Sequence, residues 1–197
     1  VLALVPVGIA TGALDGELRT LLLARLRESP FLGAPDDGMR LRPAHALVLD
    51  SGGPVLDDEL VGLLGEVLPA LVPARWVRRG QNALAALGVR HIEPVEVIDE
   101  LATLDRAPSW WHSLYAALAG AGVALEMLAG LPVPLASGEL ARSPRGLIMP
   151  GAFGDLRVLG LRAVDAEAAH PLLARLGAID AEPAAILAGE RVRAAVE

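Results

Sequence analysis

The strongest constraint on what this chain can fold into is that it matches itself. At a fixed offset of 89 residues, Leu84, Ala85, Leu87, Gly88, Glu93 and Pro94 recur as Leu173, Ala174, Leu176, Gly177, Glu182 and Pro183. Leucine and alanine matches arise easily in a chain rich in both, but a glycine followed five residues later by Glu-Pro, twice over, is hard to obtain by chance. Upstream, FLGAPDDGMRLRPAHALVL and LPVPLASGELARSPRGLIMP share a turn glycine (Gly38, Gly138), an arginine (Arg42, Arg142), a proline (Pro43, Pro144) and then an apolar run. Self-similarity of this kind marks repeated supersecondary units. The sequence predicts two tandem, similar units, 1–105 and 106–197, with the boundary near Asp105 to Pro108.

The local signals give each unit a mixed character. Leu14, Leu18, Leu21, Leu22 and Leu26 fall at helical spacing and predict an amphipathic helix over 14–28, stopped by Ser29 and Pro30. A hairpin follows, with Phe31 and Leu32 in one strand, a turn at Asp36, Asp37 and Gly38, and a return strand from Met39 to Arg42. Next come the apolar run AHALVLD, the loop SGGP and a helix from Asp57 to Leu68. Leu71 to Ala74 reads as a strand and 81–87 as a short helix, with Gly88 its left-handed stop. Val89 to Ile92 reads as a strand, and Glu93-Pro94 opens a further helix. In the second half, Trp110, Leu114, Ala117 and Leu118 mark a helix, another is predicted near 122–129, and a hairpin turns at Ser137-Gly138. The expected fold class is α+β (mixed α/β): two tandem similar units, each with small sheets or hairpins covered by helices.

Composition limits the chemistry. The 197 residues include no cysteine, and all seventeen basic residues are arginine. That removes disulfides, thiol nucleophiles, a Walker A lysine and a Schiff base. A net charge of −7 argues against nucleic acid, whose phosphates need a basic surface. The cluster Arg75, Arg78 and Arg79 around Trp76 reads as a solvated face beside one core tryptophan. The opening VLALVPVGIATGAL is broken by Pro6, Gly8 and Gly12 and is shorter than the ~20 residues a membrane span needs. It reads as a buried segment of a cytoplasmic protein. The chain begins at Val1 and closes on an amphipathic helix, which reads as part of a longer protein. Its Ala, Gly, Arg and Leu bias points to a GC-rich bacterial coding sequence.

No motif assembles a catalytic site. LDSGGP at 49–54 differs by one residue from the nucleophile segment of chymotrypsin-like proteases, but that chemistry needs a histidine base and a buried aspartate. His45, six residues before Ser51, has no matching context, so a hydrolase using Ser51 and His45 stands only as the alternative reading. The four histidines, His45, His91, His112 and His170, are dispersed and lack the i, i+4 spacing of a helical zinc site. His112 reads as capping a core patch and His170-Pro171 as a helix start. Asp57, Asp58 and Glu59 read as helix N-terminal acids, and Asp99 and Glu100 as solvated. Catalytic, cofactor-binding and metal residues are all expected to be none.

SWWHSLYAAL, LAGLPVPLASGELARSPRGLIMP and AAHPLLARLGA, with LRTLLLARLRESPFL, RLRPAHALVLD and ALAALGVRHIEPVEVIDELATLD, resemble the repeat region of bacterial proteins related to sacsin. In that family a GHKL-type ATP-binding domain precedes long α/β repeats. The resemblance covers nearly the whole chain and rests on structural motifs. It implies a regulatory or protein-interaction module of an actinobacterial, chaperone-like ATP-binding protein, with the other domains of the parent chain and client proteins as partners. The family's nucleotide site uses Glu-x-x-x-Asn and Asp-x-Gly-x-Gly, whereas the single asparagine here, Asn82, has Arg78 four residues before it. ATP and Mg are therefore expected only in an N-terminal domain outside this segment, and no nucleotide-binding residue carries over. A structural spacer is a further alternative.

Overall fold

Among the described residues the chain opens on a helix, α1 (Gly16–Arg27), which ends just before Ser29 and Pro30. The computed structural model describes residues 16–33, 40–49, 56–72, 74–151 and 161–181. By internal contacts the chain divides into two units, Val1–Pro94 and Val95–Glu197.

In the first unit, α1 docks by its C-terminal half. Leu26 is buried and Leu23 packs beside it, while Leu18 and Leu21 are 46% and 65% exposed. The apolar stripe expected over the whole helix is thus used only near its end, where Arg27 Nη2 donates to the carbonyl of Ala86 at 3.0 Å. Two short antiparallel strands follow, β1 (Leu32–Gly33) and β2 (Arg40–Leu41), in the register Leu32↔Leu41 and Gly33↔Arg40. A 3-10 turn over Pro43–His45 leads into β3 (Leu47–Leu49), and Ala46 N–H donates to Pro43 O at 3.2 Å. Helix α2 (Asp58–Gly65) is capped by Asp57, whose Oδ1 accepts the Leu60 N–H at 2.8 Å. Such a cap contributes about 1 kcal/mol.

The next segment corrects two expectations. Only Leu71 of the strand expected at Leu71 to Ala74 forms a bridge, and α3 (Ala74–Ala86) is 13 residues long rather than a short helix over 81–87. Arginine is a good helix former, so the arginine-rich stretch extends the helix backward. Gly88 then takes φ +80. Its N–H donates to Ala85 O at 3.0 Å and the Val89 N–H to Leu84 O at 3.1 Å. This is the Schellman pair that satisfies the last carbonyls of a helix. The chain returns as β4 (Arg90–Ile92), parallel to β3 with Leu47↔Arg90, Val48↔His91 and Leu49↔Ile92. On its other side Leu47 donates to Ala70 O and accepts from Val72 N, both at 2.8 Å. Leu26, Phe31, Leu32, Ala46, Val48, Val72, Leu84, Leu87 and Val89 form the core, at about 1.5–3 kcal/mol for each large side chain removed from water.

Helix α4 (Pro94–Leu101) opens on its proline as expected, buries Val97, Ile98 and Leu101, and leaves Asp99 and Glu100 exposed. In the second unit, α5 (Pro108–Gly120) buries Trp111, Leu114, Tyr115, Ala117 and Leu118. The tryptophan inside is Trp111; Trp110 is half-buried and stacks edge-on against it at 5.2 Å. The helix expected near 122–129 is only a 3-10 turn, Leu125–Leu128. Gly122 at φ +67 and extended Ala124 interrupt the helical backbone. Strands β5 (Val133–Pro134) and β6 (Leu140–Ala141) pair antiparallel around the turn at Ser137-Gly138, with Gly138 at φ +85. Leu147 N–H donates to Pro144 O at 3.1 Å. Ile148 bridges Ala163 and Ile179, both in parallel, and Leu135 bridges Val164 antiparallel. Helix α6 (Pro171–Arg175) has five residues and ends at Gly177, φ +102. There Gly177 N–H donates to Ala174 O at 3.0 Å and Ala178 N–H to Leu173 O at 2.9 Å.

The described residues are a mixture of helices and small sheets, compatible with α+β. Among them no helix is long and apolar enough to cross a membrane. The opening apolar run with Leu14, the turn at Asp36, Asp37 and Gly38, the SGGP loop, Glu182-Pro183 and the C-terminal helix lie outside the described residues. So do the side chains of Arg75, Trp76 and Arg79; Arg78 is exposed and meets Asp58 at 3.2 Å.

Candidate functional site

Ser51 lies outside the described residues, and His45 ends the 3-10 turn after Pro43 with its side chain exposed. His91 is exposed on β4. Neither is brought to another histidine. His112 and His170 are: their ring centroids lie 5.3 Å apart at 78°.

Each ring of this pair has its Nδ1 committed to a backbone group. His112, exposed on α5, points Nδ1 at the carbonyl oxygen of Ala169, 2.7 Å away. A carbonyl only accepts, so His112 Nδ1 carries the proton and, in the neutral ring, Nε2 holds the lone pair. His170 is the N-cap of α6, and its Nδ1 accepts the Leu172 N–H at 3.1 Å. That nitrogen must be unprotonated, so neutral His170 carries its proton on Nε2. The two imidazoles are opposite tautomers, one held by the Ala169 carbonyl before α6 and the other by the Leu172 N–H within its first turn. Pro171 occupies the first helical position, where its missing N–H costs nothing, and Leu172 and Leu173 enter the core at 2% and 0% exposure.

The electrostatics follow from this setting. Burial of half-exposed His170 disfavours its charged form and holds its pKa below the ordinary 6.5, and a charge on His112 lowers it further. On the same helix as His112, Tyr115 donates its hydroxyl to Pro132 O at 2.7 Å, and burial pushes that phenol well above its usual range. Trp111 lies 6.2 Å from the Tyr115 ring, and the Arg106 guanidinium sits 5.6 Å over Trp110.

This constellation ties a helix to a loop. Among the described residues no group of three or more His, Asp or Glu converges as metal ligands. His170 could not join such a group through Nε2 while its Nδ1 caps α6, because that nitrogen then carries the ring proton. The sequence located the helix start at His170-Pro171 but missed its partner. His112 was expected to cap a core patch; instead it is exposed and bonds a loop carbonyl. A histidine before a helical proline is a readable cap signal, whereas the contact to His112 is made only in three dimensions. Comparison of the chain with protein-family models, with curated proteins and with solved structures finds no match.

Proposed function

We propose that this chain is a non-catalytic protein-interaction or regulatory module, built from two copies of one α/β unit over 1–105 and 106–197. It would serve a larger sacsin-like, chaperone-like ATP-binding protein, contacting that protein's other domains or its clients. The observation that carries the reading is the recurrence of one hydrogen-bond framework. Val72 N→Leu47 O at 2.8 Å has its counterpart in Val164 N→Ile148 O at 2.9 Å, and Leu47 N→Ala70 O in Ile148 N→Arg162 O. Arg90 N→Ala46 O corresponds to Ile179 N→Leu147 O, and Ala46 N→Pro43 O to Leu147 N→Pro144 O. Duplicated scaffolds stack into surfaces for partners, and their motifs are structural. The link to an ATP-binding parent rests on the sequence resemblance and is an analogy of family.

The test has two parts. The reading frame upstream of Val1 is expected to encode Glu-x-x-x-Asn followed by Asp-x-Gly-x-Gly; an upstream frame with neither motif contradicts the ATP-binding parent. Ser51→Ala and His45→Ala are expected to leave every activity of the full-length protein unchanged. Selective loss of a hydrolase activity in the Ser51→Ala protein would overturn the non-catalytic reading in favour of the Ser51/His45 enzyme.

A further inference from the structure

We infer that His112 and His170 form an acid-released latch that holds helix α6 on α5 when both rings are neutral and frees its start when His170 is protonated.

The geometry makes the two histidines unequal. His112 already donates from Nδ1 to Ala169 O, so a second proton on Nε2 leaves that bond in place. His170 cannot gain a proton without change, because the only vacant site is Nδ1, and that atom faces the Leu172 N–H it accepts from. Protonation there sets two donors against each other and the cap opens. A positive charge on His112, 5.3 Å from the second ring, opposes protonation of His170.

Helix α6 is built to feel this loss. Five residues are far below the ~12–15 that give an isolated helix even marginal stability, so it stands on its cap, its docking and its C-terminal glycine. The ionisable groups around the latch do not offset the charge. On α5 the only titratable side chains are His112 and Tyr115, whose hydroxyl is engaged by Pro132 O. Before the cap stand Asp165, whose carboxylate accepts the Glu167 N–H at 2.9 Å, and Glu167 itself. Arg175 ends α6, and Arg145 packs at Gly177. The lowered affinity of His170 for protons is caused by burial and then by His112. Because the folded value lies below 6.5, the unfolded chain binds more protons in between. Stability from the latch is full above about pH 6.5, declines as pH falls through that value, and is exhausted below the folded value.

The experiment uses the whole 197-residue chain. Imidazole nitrogen NMR at pH 7.5, with His45 and His91 as references, is expected to show His112 as the Nδ1–H tautomer and His170 as the Nε2–H tautomer. Thermal unfolding from pH 7.5 to pH 5 is then compared for the parent chain, His170→Asn and His170→Ala. Asparagine caps without titrating near neutrality, so His170→Asn is expected to keep stability at pH 7.5 and lose the acid-side decline. His170→Ala is expected to raise Leu172 and Leu173 amide exchange at pH 7.5 on the order of tenfold, the loss of one cap. If His170→Ala does not fold, the tautomers and the His170→Asn profile decide alone. A His170 that titrates at or above 6.5, the reverse tautomers, or an unchanged acid decline in His170→Asn would each overturn the latch.

Discussion

The two helices that run into the Schellman caps at Gly88 and Gly177 differ in length. Helix α3 spans Ala74–Ala86 and enters its cap with Val77, Leu84 and Leu87 on the core of the first unit. Helix α6 reaches the same Schellman pair after Pro171–Arg175 alone, with Leu172 and Leu173 inside. A 13-residue helix spreads its anchorage over more than three turns. A five-residue helix depends on each end, and in the second unit one end is a titratable side chain. At the offset of 89 residues, His170 falls on Gln81, which is inside α3 rather than at its start. One kind of C-terminal cap thus serves two helices of very different length.

The largest way to break this comparison is to charge the residue just before each glycine. Leu87 is 1% exposed, so Leu87→Asp buries an unpaired carboxylate and is expected to cost more than about 4 kcal/mol, unfolding the first unit. Leu176 is only half-buried, and Leu176→Asp is expected to cost about 1–2 kcal/mol. Urea denaturation followed by tryptophan fluorescence checks both, through Trp76 in one half and Trp110 and Trp111 in the other.

Replacing the glycines sharpens the likeness. A Cβ at Gly88 would lie 3.8 Å from Arg27 Nε and one at Gly177 3.6 Å from Arg145 Cγ, both ordinary contacts. The cost is therefore conformational. Gly88→Ala at φ +80 is expected to lose about 1–2 kcal/mol, and Gly177→Ala at φ +102 at least as much. Equilibrium unfolding in urea measures the two losses, and a glycine replaced without loss would show that its cap is not needed. Asp57→Ala, which removes the fixed cap of α2, is expected to lose about 1 kcal/mol at pH 7. Circular dichroism melts check it, and they set the scale for the His170 cap. The smallest effect should come from Arg78→Ala, because its pair with Asp58 is roughly half exposed on both sides. A change within about 0.5 kcal/mol is expected in the same melts.

What the sequence made legible follows from which forces are local. The Gly88 stop, the acids Asp57 and Asp58 at the start of α2, Pro94 and Pro171 at helix starts, and the hairpin around Ser137-Gly138 are decided within a few residues, and each is found where expected. The parallel pairing of β3 with β4 was not legible, since strands of three residues carry no partner information. The length of α3 is not legible because the arginine-rich stretch Arg75 to Arg79 signals only a solvated face and carries no apolar periodicity ahead of 81–87. At the candidate site, His170 before Pro171 is legible as a helix start, whereas its neighbour His112 is not. Their contact depends on how α5 meets the loop that enters α6, which is a matter of packing.

The central claim, one framework made twice, is tested most directly by scalar couplings across hydrogen bonds in isotope-labelled protein. The account expects couplings from Val72 N–H to Leu47 C=O and from Val89 N–H to Leu84 C=O in the first unit. It expects their counterparts from Val164 N–H to Ile148 C=O and from Ala178 N–H to Leu173 C=O in the second. Couplings present in one unit and absent or shifted to other carbonyls in the other would contradict it.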